Sequence, residues 1–424
     1  MKRRVVVTGI GPVTGIGIGK DAFFEGILKS TVNACEIPEA FMNKYKFKSR
    51  YYVEAPVFSL AEYGISEAYE SIMEEISRIS AVGARLALED AGFAAVSSGR
   101  NFQAEGLEEA AVVLGVGMSS LQTALQSYLA HVFVNDKSVL EQLDIGARYN
   151  RMVIPMLMPN SAAAWISIIF GIKGPAYTVN AACASGTYAI GEAYRKIADG
   201  YCDTALTGGV ECLKEKDGAI MRGFDVLMTL TKAADGNPRP FSGERSGFLF
   251  NEGAGCVLVL EELNGAKQRG AEIYAEICGF ECCSDAYNIV QMEESGDGIV
   301  RMLTRLIGSR KIDYFNAHGT GTAANDEIEA GIIRRVFGNK SEQPLINSTK
   351  GIIGHSIGAS GAIEAATTAL SIKASKVHGN TAVEPMEDLN LVHTATDTDI
   401  GYAVSASYGF GGHNAAILFK RYEV

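Results

Sequence analysis

Hydrophobic and polar positions follow two periods along the chain, and together they predict a succession of strands and helices. Short apolar, β-prone runs indicate buried strands at 4–8, 110–114, 176–179, 256–260, 273–277, 313–316, 345–347 and 415–419. Apolar residues at helical spacing predict helices at 80–91, 184–199, 261–269, 299–307, 327–337 and 358–371. Because such alternation is typical of parallel sheets covered by helices, we predict an α/β fold.

Two parts of this pattern resemble each other. Residues 184–190 open a helix after a strand, and residues 359–365 do the same with a similar Ala-Ser-Gly start. A glycine pair also precedes a late apolar strand in each part, at 253–260 and 411–419. Since 424 residues exceed one simple core, we predict a duplicated α/β unit with halves 1–262 and 263–424.

Composition narrows the class of protein. A net charge of −11 argues against a nucleic-acid partner, because phosphate binding needs a concentrated basic surface. The one obvious basic run is interpreted as a solvated loop; it comprises Lys44, Lys46, Lys48 and Arg50. The eight cysteines form no CxxC pair, which indicates neither a zinc site nor a disulfide framework but thiols in a reducing compartment. With no signal-peptide core and no run of membrane length, we expect a cytoplasmic protein without membrane partners.

A glycine-rich turn follows the first strand and invites comparison with a dinucleotide-binding motif. Its glycines are Gly9, Gly11 and Gly15, and Thr14 stands where the third glycine of GxGxxG belongs. We therefore interpret it as a plain turn. A nucleotide-dependent reductase, which would need the complete motif, is disfavoured.

Cys183 is the candidate nucleophile. It lies where the strand 176–179 gives way to the helix 184–199, among residues small enough for a substrate to approach. The unpaired N–H groups and positive dipole end at a helix N-terminus are expected to favour the thiolate. They could also donate to an oxyanion that forms beside the sulfur. A cysteine at such a turn can equally be a packed small residue.

Three further glycine-rich turns carry candidate chemistry. His318 and His355 each lie in such a turn after a short strand, where ligands bind in open α/β sheets, and Lys350 lies five residues before the second histidine. The last turn, 407–414, contains Phe410 between glycines that allow close approach to a ligand. Its amide N–H could complete an oxyanion hole begun by the N–H of Cys183.

These turns resemble those of one enzyme family in type and in order. Ala-Cys-Ala-Ser-Gly-Thr, Asn-Ala-His-Gly-Thr-Gly-Thr, Ser-Thr-Lys-Gly-Ile-Ile-Gly-His and Gly-Phe-Gly-Gly are similar to the motifs of β-ketoacyl-[acyl-carrier-protein] synthases of the KAS II type. The closely related ketosynthase subunits of type II polyketide systems share them. The resemblance covers essentially the whole chain and implies a thiolase-like, five-layered αβαβα duplication that is usually dimeric.

The resemblance implies a decarboxylative Claisen condensation. Cys183 would take an acyl group from an acyl-carrier-protein thioester, and malonyl-carrier protein would then lose CO2. Neutral His318 and His355 would donate N–H groups to the enolate oxygen, while the N–H groups of Cys183 and Phe410 would form the oxyanion hole. No metal is implied, and no cofactor beyond the phosphopantetheine arm of the carrier.

Other site residues are carried over by the same resemblance. Lys350, assisted by Glu364, would keep the histidine site in order. Thr320 and Thr322 would bind the phosphopantetheine arm. Met118 would gate the acyl pocket and so help set the acceptor length, and the phenylalanine of the oxyanion hole would also gate malonyl entry.

Two rival functions are disfavoured by the cysteine pattern. A degradative thiolase needs a second cysteine as acid and base near the C-terminal turn, whereas no cysteine follows Cys283. A non-catalytic chain-length partner of polyketide ketosynthases lacks the nucleophile, which is present here.

Departures from the common fatty-acid pattern favour a specialised type II polyketide or polyene pathway, with fatty-acid elongation by a KAS II enzyme as the alternative. The unusual positions are Gly351, Ile352, Ile353, Tyr408 and His413. Glutamates also occur where related enzymes often place Lys or Arg to meet an acidic carrier, at Glu67, Glu70, Glu74 and Glu75. We therefore expect an unusual carrier protein, and either a homodimer or a heterodimer with a chain-length-factor-like paralogue.

Overall fold

The strands and helices come from a computed structural model that describes residues 2–119, 121–143, 145 and 150–423. The strands are β1 Val5–Thr14, β2 Gly17–Ile18, β3 Cys35–Glu36, β4 Tyr51–Val53, β5 Ala95–Ser98, β6 Asn101–Ala104, β7 Ala111–Val116, β8 Ala176–Val179, β9 Thr204–Cys212, β10 Phe250–Asn251, β11 Gly253–Glu262, β12 Ala275–Ser284, β13 Tyr314–Asn316, β14 Leu345–Asn347, β15 Lys376–Val377, β16 Thr396–Asp397, β17 Tyr402–Gly409 and β18 His413–Lys420. The helices are α1 Lys20–Lys29, α2 Glu39–Lys44, α3 Glu75–Asp90, α4 Leu121–Val132, α5 Lys137–Gln142, α6 Val153–Leu157, α7 Ser161–Phe170, α8 Ser185–Ala198, α9 Ala219–Val226, α10 Leu263–Gln268, α11 Asp297–Ile307, α12 Ala323–Phe337, α13 Lys350–Ile353 and α14 Ser360–Ala374.

The main sheet repeats one arrangement of five strands twice. Its order is β14-β13-β17-β18-β12-β1-β11-β9-β7-β8, with β2 paired to β1. At each end three strands run parallel, β8-β7-β9 and β14-β13-β17. The two inner strands of each half are antiparallel to their neighbours, and β1 meets β12 at the centre. The predicted parallel pairing is therefore right for the outer strands and wrong for the inner ones.

Helices cover the sheet on both outer sides and fill the space between its halves. One core combines α8 and α14 with strands from both halves, so these helices form the central layer. A second core packs α3 and α7 on the first half, and a third packs α11 with α12 on the second. The predicted five-layered duplication is confirmed, while the division at residue 262 stays a prediction.

The N-termini of α8 and α14 approach each other closely, and the side-chain hydroxyl of Thr187 also lies against Gly361. A Cβ on Gly186 would lie 2.7 Å from the backbone nitrogen of Ala362, and one on Gly361 would lie 2.8 Å from that of Thr187. Glycine is required at both positions because the backbones approach so closely. The first turns of the two central helices are therefore held at a fixed spacing.

Most predicted elements are present with shifted ends. Strand 176–179 matches β8, whereas the helix predicted from residue 80 begins at Glu75 and the strand predicted from 273 extends to Ser284. Among the described residues no helix combines the length and the apolar character needed to cross a bilayer.

Candidate active site

The turn that carries Cys183 joins β8 to α8 through one residue with a left-handed backbone. Ala182 has a φ of 49°, a conformation that costs free energy for a residue with a side chain. Ser185 stabilises this turn, since its Oγ accepts the N–H of Ala181 at 2.9 Å and donates to the carbonyl of Ala182 at 2.6 Å. Cys183 itself is only 5% exposed. The strand-to-helix position predicted for the cysteine is thus present.

The same turn recurs in the second half. Ile357, with a φ of 43°, precedes Gly358 at the start of α14. Ser360 Oγ accepts the N–H of Ser356 at 3.1 Å, as Ser185 does in the first half. Gly358 therefore occupies the position that corresponds to the cysteine.

Burial, rather than the helix terminus, dominates the acidity of the thiol. Burial raises the pKa of Cys183 to about 11, while the charge of Lys350 and the backbone N–H of Phe410 act in the opposite direction. The N–H groups of Cys183 and Phe410 therefore favour the thiolate, as expected for the first of them, but burial outweighs their effect on the pKa in the resting site. Burial destabilises the thiolate more than the nearby N–H groups and the charge of Lys350 stabilise it.

The turn between β17 and β18 packs directly on the cysteine turn. A Cβ on Gly409 would lie 2.7 Å from the carbonyl oxygen of Ala181 and 3.1 Å from the nitrogen of Cys183. This approach brings the next residue, Phe410, to the cysteine, and the N–H groups of both residues act on the sulfur. The two donors predicted for an oxyanion hole are thus side by side.

His318 follows β13 and is held by a buried ion pair. Lys350 Nζ lies 3.1 Å from His318 Nδ1 and donates to the His318 carbonyl at 2.9 Å. The same ammonium group contacts Glu364, and both charged side chains are almost completely buried. Since an ammonium group can only donate, Nδ1 accepts and the proton of the neutral ring resides on Nε2.

His355 follows α13 and has a different partner. Its Nδ1 lies 2.9 Å from Ser360 Oγ. Ser360 Oγ also accepts the N–H of Ser356, and donation of its hydroxyl proton to Nδ1 would leave the ring proton of His355 on Nε2. Burial lowers the pKa of His318 and His355 well below the usual value, and the charge of Lys350 lowers both further. Both imidazoles are therefore neutral N–H donors.

One cavity of about 550 Å³ joins most of the predicted residues. Its lining includes Cys183, His318, His355, Thr320, Thr322 and Phe410. Lys350 and Glu364 lie behind the histidines rather than on the cavity surface. Thr320 and Thr322 contact each other, with 2.9 Å between their Oγ1 atoms.

Met118 is absent from the lining of that cavity. Its side chain is 42% exposed, and its N–H donates to the carboxylate of Glu211 at 3.0 Å. A part in setting acceptor length therefore stays a prediction.

Three buried carboxylates support the site and were not predicted. Glu329 accepts the N–H groups of His318 and Gly319 at 2.8 and 2.7 Å, and Asp326 on the same face of α12 accepts that of Gly321 at 3.1 Å. Glu211 accepts N–H groups from turns of both halves, at Gly117, Met118 and Gly358. The spacing of three between residues 326 and 329 was the available signal, because it places both carboxylates on one helix face.

No group of three or more His, Cys, Asp or Glu side chains among the described residues is arranged to hold a metal ion. A larger cavity, of about 690 Å³, lies beneath α3 and α4 and contains none of the predicted site residues.

Comparisons with known proteins agree with this arrangement. The family models for the N-terminal and C-terminal domains of beta-ketoacyl synthase match residues 2–265 and 274–384. The 3-oxoacyl-[acyl-carrier-protein] synthase 2 of Staphylococcus aureus (strain COL) is 34% identical over 433 residues, covering 99% of each chain. A beta-ketoacyl synthase from Burkholderia phymatum STM815 superposes with a TM-score of 0.84 at 30% identity, covering 100% of both chains. The ishigamide ketosynthase/chain length factor gives 0.85 at 26% identity, also covering 100% of both. The chain therefore belongs to the β-ketoacyl synthase family and is an acyltransferase of the ketosynthase type.

Proposed function

We propose that this chain is the ketosynthase subunit of a specialised type II polyketide or polyene pathway, with Cys183 as nucleophile and His318 and His355 as enolate donors. The observation that carries the assignment of these roles is their common cavity, which brings the sulfur and both imidazoles together from separate turns. The geometry of the neutral, buried site supports each of these proposed roles.

Acylation begins at the protonated thiol. Cys183 loses its proton as its sulfur attacks the acyl-carrier thioester, and the carrier leaves as a free thiol that takes up one proton. The negative oxygen of the tetrahedral intermediate accepts the N–H groups of Cys183 and Phe410. Because both donors are backbone groups held by the Gly409 contact, they need no rearrangement during the reaction.

Decarboxylation requires donors rather than a base. The C–C bond of the malonyl thioester breaks, CO2 leaves, and the electron pair passes into the thioester enolate. The Nε2–H groups of His318 and His355 donate to the enolate oxygen. Burial and the charge of Lys350 lower the pKa of both histidines, so both rings are neutral. Each neutral ring carries one N–H that can donate to the enolate oxygen.

Condensation completes the cycle. The enolate carbon attacks the acyl group on Cys183, and the collapsing intermediate expels the cysteine sulfur as a thiolate, which takes up one proton to restore the thiol. Lys350 and Glu364 act as positioning residues, because their contact orients His318 from behind. Thr320 and Thr322 are assigned to the phosphopantetheine arm of the carrier, which supplies the only prosthetic group.

The choice of pathway rests on the departures in sequence. The similarity to the ishigamide ketosynthase/chain length factor supports a polyketide or polyene system. The similarity to the Staphylococcus aureus 3-oxoacyl-[acyl-carrier-protein] synthase 2 favours the alternative, fatty-acid elongation by a KAS II enzyme. We assign a cytoplasmic location, as expected for a protein that works on carrier thioesters.

A dimer is supported by the edge of the main sheet. Strand β8 is its last strand and pairs with β7 alone among the described strands. Helix α7, which packs on β8, carries an exposed apolar side chain at Ile168, and Met118, Ile154 and Met158 are exposed as well. An open edge strand beside apolar surface favours pairing with a second chain, which is either another copy or a chain-length-factor-like paralogue.

The experiment is incubation with malonyl-carrier protein and a series of acyl-carrier proteins, followed by intact-mass analysis. We expect acylation at Cys183 and condensation products, both lost in Cys183→Ala. A homodimer that elongates ordinary fatty acyl carriers without a partner would overturn the polyketide assignment. Acylation that persists in Cys183→Ala would overturn the mechanism.

A further inference from the structure

The basic run near the N-terminus has a definite arrangement. Residues 45–50 form a loop with a bend at Lys48, and their exposure alternates: Lys46, Lys48 and Arg50 are exposed, whereas Phe47 is half-buried and Ser49 is buried. The three cations are therefore turned toward solvent, while the residues between them pack against the protein. We refer to Lys46, Lys48 and Arg50 as the basic strip.

The basic strip is fixed to helix α9. The carboxylate of Asp225 accepts the backbone N–H groups of Lys48 and Ser49, each at 3.1 Å. Arg222 Nη1 donates to the Lys46 carbonyl at 2.7 Å and to Asp225 at 2.5 Å. The segment is therefore a loop with solvent-exposed cations, as its sequence indicates, and its backbone is attached to α9.

Helix α9 leads directly to the mouth of the active-site cavity. Leu227 and Met228 follow its last residue, line the cavity and are about half exposed. Lys48 Nζ lies 2.7 Å from Met228 Sδ, so the basic strip begins at the mouth. Lys232, another exposed cation, lines the cavity itself.

These cations have no acidic partners of their own. In the described part of the chain, no carboxylate lies within ion-pair distance of the basic strip or of Lys232, whereas the neighbouring Lys44 is paired with Asp217 at 2.7 Å. The chain as a whole has a net charge of −11. Unpaired positive charge gathered at one cavity mouth of an acidic protein favours an acidic partner there.

The glutamate-rich segment 67–75 offers no comparable surface. Glu70 accepts the N–H of Leu60 at 3.1 Å, and Glu75 lies 3.8 Å from Lys214. Where related enzymes place cations, this chain therefore has acidic groups, of which Glu67 is exposed and Glu70 and Glu75 contact other parts of the chain.

We propose that the acidic carrier protein docks on the basic strip, with Lys232 and the apolar residues at the end of α9 beneath it, and so delivers its phosphopantetheine arm into the cavity. This inference rests on the proposed function and names the surface its carrier uses. Charges at the rim of an interface mainly speed association and make it sensitive to salt, while the apolar residues supply contact area.

The test reverses the charge of the basic strip in the full chain, as Lys46→Glu/Lys48→Glu/Arg50→Glu. Condensation is measured with malonyl-loaded acyl carrier protein and, separately, with malonyl-pantetheine, which has no protein to dock. We expect kcat/KM to fall at least about tenfold with the carrier and to change far less with malonyl-pantetheine. In the unchanged protein, KM for the carrier should rise as salt is raised from about 50 to about 300 mM.

The matched control is Lys173→Glu/Lys267→Glu/Lys311→Glu. It changes the net charge equally at exposed residues near the opposite ends of the strands, and we expect carrier kinetics to stay unchanged. The docking surface is overturned if kcat/KM with the carrier falls equally in both triple variants, or if the KM for the carrier does not change with salt. A Glu67→Lys change that alters the carrier KM more than the strip reversal also overturns it. Absence of condensation with either donor in the unchanged protein would instead overturn the proposed function.

Discussion

Removing the ammonium group of Lys350 tests how the site is held in order. Lys350→Met keeps the length and volume of the side chain but leaves Glu364 without its counter-ion. Both side chains are almost inaccessible to water, at 1% and 0% exposure. The lost donor is also the one that fixes the proton of His318 on Nε2.

The expected loss of stability follows from the burial of the remaining carboxylate. Breaking a buried ion pair from one side costs about 3–5 kcal/mol, because an uncompensated charge stays inside. The double variant Lys350→Met/Glu364→Gln removes that charge and keeps an acceptor for Ser407, whose hydroxyl contacts Glu364 at 3.4 Å. We therefore expect the double variant to recover most of the stability.

Activity should behave differently from stability. Neither variant supplies a donor to His318 Nδ1, so the ring is no longer held as an Nε2–H donor, and decarboxylation should fall by about tenfold to a hundredfold in both. Urea unfolding midpoints and CO2 release from malonyl-carrier protein measure the two effects. The reasoning is refuted if Lys350→Met unfolds like the unchanged protein, or if the double variant regains decarboxylation together with stability.

Further predictions concern protonation and the turns around the sulfur. Because burial sets the pKa of Cys183 at about 11, its alkylation by iodoacetamide should rise roughly tenfold per pH unit up to that value; a plateau near neutral pH would contradict this. Because the folded state lowers the pKa of His318 and His355, decarboxylation should stay level between about pH 8 and about pH 6, whereas a fall near the usual value of 6.5 would show ordinary histidines. By the same shift the unfolded chain binds more protons below about pH 6.5, so these histidines should reduce stability there, as acid titration of the unfolding midpoint can check. Gly409→Ala should slow acylation of Cys183 on mass analysis while leaving CO2 release largely intact, since its Cβ would press on the cysteine turn. Glu329→Ala should slow CO2 release by about tenfold or more because two buried N–H groups lose their acceptor; full activity would remove its supporting part.

Local features of the site could be predicted from sequence, because they depend on neighbours along the chain. Small residues around Cys183, glycines around the histidines and the repeated Ala-Ser-Gly helix starts all mark turns between a strand and a helix. The repeat was especially informative, since the turns at Ala182 and Ile357 share both the left-handed φ and the serine contact.

Features that depend on distant contacts could not be predicted. Glu211 accepts N–H groups from residues 94 and 147 positions away, so nothing near it in sequence indicates its partners. The acidity of Cys183 depends on how completely other turns cover it. The antiparallel pairing of the inner strands depends on the order of strands in the sheet. The spacing of apolar residues predicts strands and helices but not that order.

The close approach of the two central helices at Gly186 and Gly361 has a consequence for how such an enzyme can vary. A side chain added at either glycine would press on the backbone of the opposite helix, so a substitution there would displace the first turns of these helices. The spacing of the two first turns therefore leaves little room for change at these positions. We therefore expect enzymes with new products to differ in the residues that line the cavity and its mouth, where side chains can be exchanged without moving the reacting atoms.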